Sequence, residues 1–435
     1  MTKRLSDVLI KAIFPILIFA FAAAISAQTT NDAYVQREIV VKLNQASDLP
    51  AVAAQYGLDP VPLSQFGTSS IYRLRVSSNA SVPALATQLQ ADAAQRVAFA
   101  EPNYLVGSPV GNSLPWTQGI SWSIGISWSI GGSLKGYSNQ WMKSKINLAA
   151  AQNVTRGQGK TIAVLDTGID PTHPLFAGRL VPGYDFVDND DDPSEVGAFH
   201  QGAYGHGTAV AGVIAMIAPD AKIMPIRILD QNGVGTVWRL AQGLYFAADP
   251  DGDGDNDCAV DVINLSLGTP QRTTLLRELV AAETNDGTVP DNNDFPNVQH
   301  PGIVIVAAAG NTGDQTRIYP GAEHNVSGLI AVGASTPADS LANFSTRGDW
   351  VELMAPGDRI VSSIPGGRFG VWCGTSMSAP VVSGIAALVR AKYPSLTANG
   401  VFEQIRSKSI IVDQSTNDDV PHRRVDAARA VLMNP

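Results

Sequence analysis

The chain reads as an α/β protein: a mostly parallel sheet with helices on both faces, preceded by a small α+β unit of ferredoxin-like layout. Three observations carry this. From residue 137 onward, apolar runs of strand length alternate with helix-length segments, the pattern of parallel strands joined by crossover helices. Several of those runs are apolar at every position instead of every second one, as expected when both sheet faces are covered. Residues 37–106, by contrast, run strand, helix, strand, helix, strand in a short compass.

The elements follow in order. The first residues have the build of a secretory leader: Lys3, Arg4 and Lys11 supply positive charge, residues 12–25 are almost wholly apolar, and Ser26-Ala27 precede Gln28 at a cleavage point. The other reading is a single membrane anchor, for which the run is short. Residues 1–27 are therefore expected to be removed, no stable membrane anchor is expected, and residues 28–106 form the small unit. Its strands are expected at 37–43, 71–76 and 97–106, and its helices at 49–56 and 82–94. Residues 107–136 are a Gly/Ser-rich linker containing the hexapeptide Gly-Ile-Ser-Trp-Ser-Ile twice, at 119–124 and 125–130. Two copies are too few for a solenoid and read as a duplication in a tolerant segment.

In residues 137–435 strands are expected at 161–165, 222–228, 260–265, 303–308, 329–333 and 350–354, with helices at 207–217, 237–248, 274–284, 377–391 and 397–407. In such a sheet, functional groups gather beyond the carboxyl ends of the strands. The 435 residues carry a net charge of −9, which argues against a nucleic-acid surface. The two cysteines, Cys258 and Cys373, permit a disulfide after export but say little by themselves.

Four residues attract chemistry. Asp166 closes the strand at 161–165, and Gly168 lets the chain turn there; a capping or turn aspartate is the plain alternative. His206 stands between two glycines at the mouth of an apolar helix, where no packing need explains it. Asn311 follows the apolar strand at 303–308, offering an uncharged donor suited to a developing oxyanion, or an ordinary turn residue. Ser376 lies in Gly374-Thr375-Ser376-Met377, ahead of a long apolar helix. A serine hydroxyl needs a base for its proton and donors for the oxyanion it creates.

Asp166-Thr167-Gly168, Gly205-His206-Gly207-Thr208 and Gly374-Thr375-Ser376-Met377, in that order and 40 and 170 residues apart, resemble the subtilisin family of serine proteases, over residues 137–435. The resemblance implies an endopeptidase in which Ser376 is the nucleophile, His206 the general base, and Asp166 the group that orients the imidazole. It implies an oxyanion hole from Asn311 and the Ser376 N–H. Gly233, Val234 and Gly235 would pair with extended substrate, and Ser266, Leu267, Gly268, Ala308, Ala309 and Gly310 would wall the pocket for the residue before the cut. Ile318 would sit at that pocket's floor and favour small or medium apolar residues. Residues 28–106 would be an inhibitor-type propeptide ending near Glu101-Pro102-Asn103-Tyr104, and would act as an intramolecular inhibitor. Two positions depart from the pattern: Ala209 stands where many members have a second His, and Cys373 where Ser or Asn is usual.

No cofactor is expected for the chemistry. Asp249, Asp251, Asp253, Asp255 and Asp257 form an acidic loop that starts like a calcium loop but has Val260 at its twelfth position. A structural calcium ion and a solvated acidic turn are even readings. A second acidic stretch, 185–195, reads as solvated. The chain is thus expected to be a secreted, extracellular, self-processed monomer acting on protein or peptide substrates. A catalytically inactive homologue that binds peptides is the alternative.

Overall fold

The computed structural model describes residues 33–108, 132–199, 202–252, 259–284, 301–323, 325–413 and 422–435, with the backbone of 128–130. The expected leader, the first copy of the hexapeptide, Cys258, and Asp253, Asp255 and Asp257 lie outside the described residues.

Strand alternation explains how the large sheet is covered. In strand Thr161–Asp166, Ile162 and Val164 face one core while Ala163 and Leu165 face another. Strand Val304–Ala308 divides the same way, with Val304, Val306 and Ala308 on the first side and Ile305 and Ala307 on the second. Helices His206–Ile217 and Thr375–Lys392 cover the first side, and helices Val237–Ala248 and Thr274–Thr284 the second. The continuous apolar runs in the sequence record this two-sided burial.

The sheet has nine strands in the order Ile410–Asp413, His422–Arg424, Leu353–Pro356, Leu329–Ser335, Val304–Ala308, Val262–Leu265, Thr161–Asp166, Lys222–Arg227, Tyr184–Asp185. Every pairing is parallel except that between the first two. The strand expected at 350–354 lies instead at Leu353–Pro356, because Trp350 and Val351 pack with Ala309, Ala322 and Ala331 before the ladder begins.

Residues 34–107 supply four strands of a second, five-stranded sheet, ordered Ser64–Gln65, Ile71–Arg75, Tyr34–Leu43, Val97–Gly107, Val234–Thr236, with antiparallel pairing throughout. With helices Leu49–Tyr56 and Val82–Gln90 between strands, this is the expected ferredoxin-like order, completed by a two-residue strand too short to read from sequence. The second helix stops at Gln90 instead of 94, since Asp92 accepts from the Arg96 N–H and guanidinium and turns the chain into the next strand. One sheet face carries Ile39, Val41, Tyr72 and Leu74 under its own two helices. The other carries Val40, Phe66, Ile71 and Phe99, which join the core beneath helices Val237–Ala248 and Thr274–Thr284. The N-terminal sheet is thus a layer of a continuous apolar interior.

The linker reading needs three corrections, the first being that helix Leu134–Ser138 begins inside it, capped by the Ser133 hydroxyl. Gly107 ends the strand begun at Val97, and Ser108 is buried with it. Within the second hexapeptide copy, Trp128–Ile130 is a strand paired antiparallel with Gly370, Val371 and Trp372 of the hairpin Ile360–Ile364 and Arg368–Trp372. Alternating residues beside an open hairpin edge add a strand whatever their role in a linker.

Candidate active site

Asp166 is the last residue of its strand, and the chain must turn there without blocking the histidine. Gly168 makes the turn at φ +107°, where a Cβ would lie 2.6 Å from the Ser194 carbonyl oxygen. Gly207 lets the His206 helix close on that turn: a Cβ there would sit 2.2 Å from the Gly168 oxygen. The result is a wholly buried pair, His206 Nδ1 to Asp166 Oδ1 at 2.7 Å. The Thr167 N–H donates to the same Oδ1 at 2.8 Å. The edge of Trp372 meets the imidazole, with ring centroids 5.9 Å apart.

Ser376 is the second residue of helix Thr375–Lys392, entered through Gly374 at φ +147°. Its Oγ donates to the Ser266 carbonyl at 3.3 Å, while the Ser266 hydroxyl donates back to the Ser376 carbonyl at 2.9 Å. Asn264 donates to the Ser266 hydroxyl and accepts from Ser383, which fixes that corner. His206 Nε2 is buried and makes no hydrogen bond, so no bond joins it to Ser376 Oγ in this arrangement. Hydrogen bonds of this kind are commonly loose until substrate is bound.

Asn311 is held with its acceptor turned inward: Oδ1 takes the Thr375 N–H at 2.9 Å and the Thr375 hydroxyl at 3.0 Å. Its Nδ2 is left buried, unpartnered, and aimed across Gly374, where a Cβ would be 3.1 Å away. An orphaned donor beside a serine at a helix N-terminus is suited to an oxygen that gains negative charge.

The positions expected to pair with substrate are engaged by the chain itself. Leu105, Val106 and Gly107 pair antiparallel with Thr236, Gly235 and Val234. The Ser108 N–H extends that edge by donating to Gly233 at 2.9 Å, and on the opposite edge Gly107 and Gly268 exchange two hydrogen bonds, at 2.9 and 3.1 Å. The adjoining pocket is lined by Gly107, Leu267, Gly268, Ala308, Gly310, Asn311 and Ile318. Ile318 spans it, since a Cβ on Gly268 would come within 2.4 Å of its Cγ2 and one on Gly310 within 2.8 Å of its Cγ1.

Two residues expected in the wall take other places. Ala309 points to the far side of the extended chain, against Ala322, Ala331 and Trp350, and Ser266 presents its carbonyl and hydroxyl to Ser376. In the acidic loop, Asp249 is buried and accepts from the Gly252 N–H, and Asp251 is exposed. Among the described residues no three acidic, His or Cys side chains gather to hold a metal ion. The stretch 185–195 is not simply solvated: Asp185 is buried on the Arg227 guanidinium, and the Glu195 carboxyl lies inside. Cys373 is a free thiol bonded to Asp358 and the Arg359 N–H, and burial pushes it up to about 11.

The profile of the subtilase family matches residues 157–426, and that of the fervidolysin N-terminal prodomain matches residues 20–103. Fold, site and matches together define a serine endopeptidase carrying a prodomain. The chain is 36% identical over 374 residues to a thermophilic serine proteinase of Bacillus sp. (strain AK1), covering 83% of this chain and 79% of that one. It is 35% identical over 265 residues to thermitase of Thermoactinomyces vulgaris, covering 59% and 83%. Among solved structures, fervidolysin from Fervidobacterium pennivorans aligns with a TM-score of 0.69 at 22% identity, over 92% of this chain and 61% of that one. A cold-adapted subtilisin-like serine proteinase aligns at 0.51 and 30% identity, over 63% and 90%. The chain belongs to the subtilase family.

Proposed function

We propose that the chain is a secreted serine endopeptidase, made as a zymogen that processes itself and cuts through an acyl-enzyme on Ser376. Residues 1–27 serve as leader, 28–106 as prodomain and inhibitor, and 137–435 as the peptidase. The observation that carries this is residues 105–108, held in extended form between Val234–Thr236 and Gly268, with Gly107 lining the pocket beside Asn311. Backbone pairing of this kind binds extended peptides of many sequences.

Ser376 Oγ leaves the Ser266 carbonyl and gives its proton to His206 Nε2 as it attacks the scissile carbonyl. Asp166, bonded to His206 Nδ1 at 2.7 Å, holds the tautomer and stabilises the imidazolium. Asn311 Nδ2 and the Ser376 N–H receive the oxyanion. His206 then protonates the leaving amine, and water releases the acyl group by the same path. Ile318 narrows the pocket, so small and medium apolar residues are preferred before the cut.

A fluorophosphonate label tests the chemistry. Wild type should label and Ser376→Ala should not. Intact mass of both chains, made without the leader, tests processing: only wild type should shorten toward the peptidase. The rival reading, a peptide-binding homologue without catalysis, draws on the absence of a His206–Ser376 bond. An unlabelled wild type, before and after proteolytic nicking of the linker, would establish it. A calcium ion in the 249–257 loop remains part of the proposal, as relief for five neighbouring carboxylates.

A further inference from the structure

One carboxyl group behind the Asp166–His206 pair has no part in this scheme. Glu195 comes from the loop that passes under the turn after Asp166, where its N–H donates to the Ile169 carbonyl at 3.2 Å and the Ile169 N–H to Pro193 at 3.1 Å. The residue is half-buried, but its carboxyl is buried. Oε2 accepts from the Thr208 hydroxyl at 2.8 Å and the Thr208 N–H at 3.2 Å. Thr208 lies in the first turn of the helix that begins with His206. Its hydroxyl also takes the Asp170 N–H at 2.9 Å, tying the helix to the strand-end turn. Thr167 closes the circuit, accepting from the Gly207 N–H at 3.0 Å and donating its own N–H to Asp166.

We propose that Glu195 is a positioning residue for the Asp166–His206 pair. It clamps the first turn of the histidine helix to the turn that carries the aspartate, and its negative charge adds to that of Asp166 in favouring the imidazolium formed during the reaction. The inference rests on the protease reading.

The charged surroundings fit. Burial pushes the Glu195 carboxyl up to about 7, and the nearby Asp166 charge acts in the same direction; Thr167, the Gly205 N–H and Thr208 oppose both. Tyr204 faces Glu195 as well, and its phenol is raised by burial, then by the charges of Glu195 and Asp170, with Arg368 opposing. Glu195 therefore gains its charge across neutral pH, where a general base does its work.

The test uses the full chain. In a Ser376→Ala background with labelled histidine, the His206 ring is followed by NMR across pH, with Glu195 intact or changed to Gln. Gln keeps the shape and one acceptor but removes the charge. The His206 titration should move to lower pH by about 0.5, with the melting temperature little changed. In the active chain the acid limb of kcat/KM should move the same way, with the loss falling on kcat rather than KM. Glu195→Asp withdraws the charge slightly and should give a smaller shift of the same sign; it also serves if the Gln variant does not fold. Superimposed His206 titrations overturn the proposal. Failure of the protease reading looks different: wild type neither labels nor cleaves, whatever the NMR titration shows.

Discussion

Replacing Glu101 with Gln should remove a pH-dependent cost of holding the N-terminal sheet on the peptidase body. Glu101 stands on the Val97–Gly107 strand, yet its carboxylate caps helix Thr274–Thr284, accepting from the Thr274 N–H at 2.8 Å and the Leu275 N–H at 3.2 Å. Burial pushes its carboxyl from 4.5 up to about 7; the two N–H bonds oppose that, and the charge of Glu278 adds to it. The folded chain thus holds this proton more tightly than the unfolded one. Stability from this group is whole below pH 4.5, falls as pH rises toward 7, and is lost above it. The interval between 4.5 and about 7 corresponds to about 3 kcal/mol. Gln keeps an acceptor for the helix end without a charge to desolvate. Urea unfolding of the Ser376→Ala full chain, with and without Glu101→Gln, should agree near pH 4.5 and diverge by up to about 3 kcal/mol in favour of Gln at about pH 8. A difference that stays constant with pH, or that favours Glu on the alkaline side, would refute the argument.

Three further outcomes are expected. Asn311→Ala should lower kcat by about 10²–10³-fold with KM nearly unchanged, as the proposed oxyanion role of its unpartnered N–H requires; an equal rise in KM would assign it to ground-state binding. Ile318→Ala should open the pocket and raise cleavage after Phe relative to Ala by about tenfold or more in a peptide series; an unchanged ratio would mean that Ile318 does not set the preference. Chelation with EDTA should lower the melting temperature by a few degrees, about what a bound structural ion supplies, with recovery on adding calcium but not magnesium; no change would leave the 249–257 loop as a solvated acidic turn.

Much of the fold was legible because two-sided burial writes itself into composition. The run Ile303-Val304-Ile305-Val306-Ala307-Ala308 could scarcely be anything but a central strand. Asp166, His206, Asn311 and Ser376 each lie just past a strand or at the start of a helix beside glycine, and for His206 no packing need explains that setting, whereas Asp166 and Asn311 alone also read as turn residues. Glu195 did not stand out: it lies in an acidic stretch, and only folding separates a carboxyl that turns inward from its solvated neighbours. Ala309 departs from the expected wall because an extended chain offers alternate residues, and the sequence does not say which parity faces the pocket. The strand Trp128–Ile130 was hidden by its context, because three residues acquire strand structure only from the hairpin edge they meet.

The shared interior has an optical consequence. Trp238, 1% exposed, lies at the start of helix Val237–Ala248 with its backbone N–H bonded to Asn103, the ring of Phe66 edge-on at 5.7 Å and the Arg73 guanidinium 6.0 Å from its centroid. All three neighbours belong to the N-terminal unit, Arg73 and Asn103 on its strands and Phe66 just past one. Any event that strips that sheet away wets one indole, and indole emission moves to longer wavelength in water. The chain thereby carries its own fluorescent gauge of whether the N-terminal layer is still in place, readable in real time without a label or a substrate.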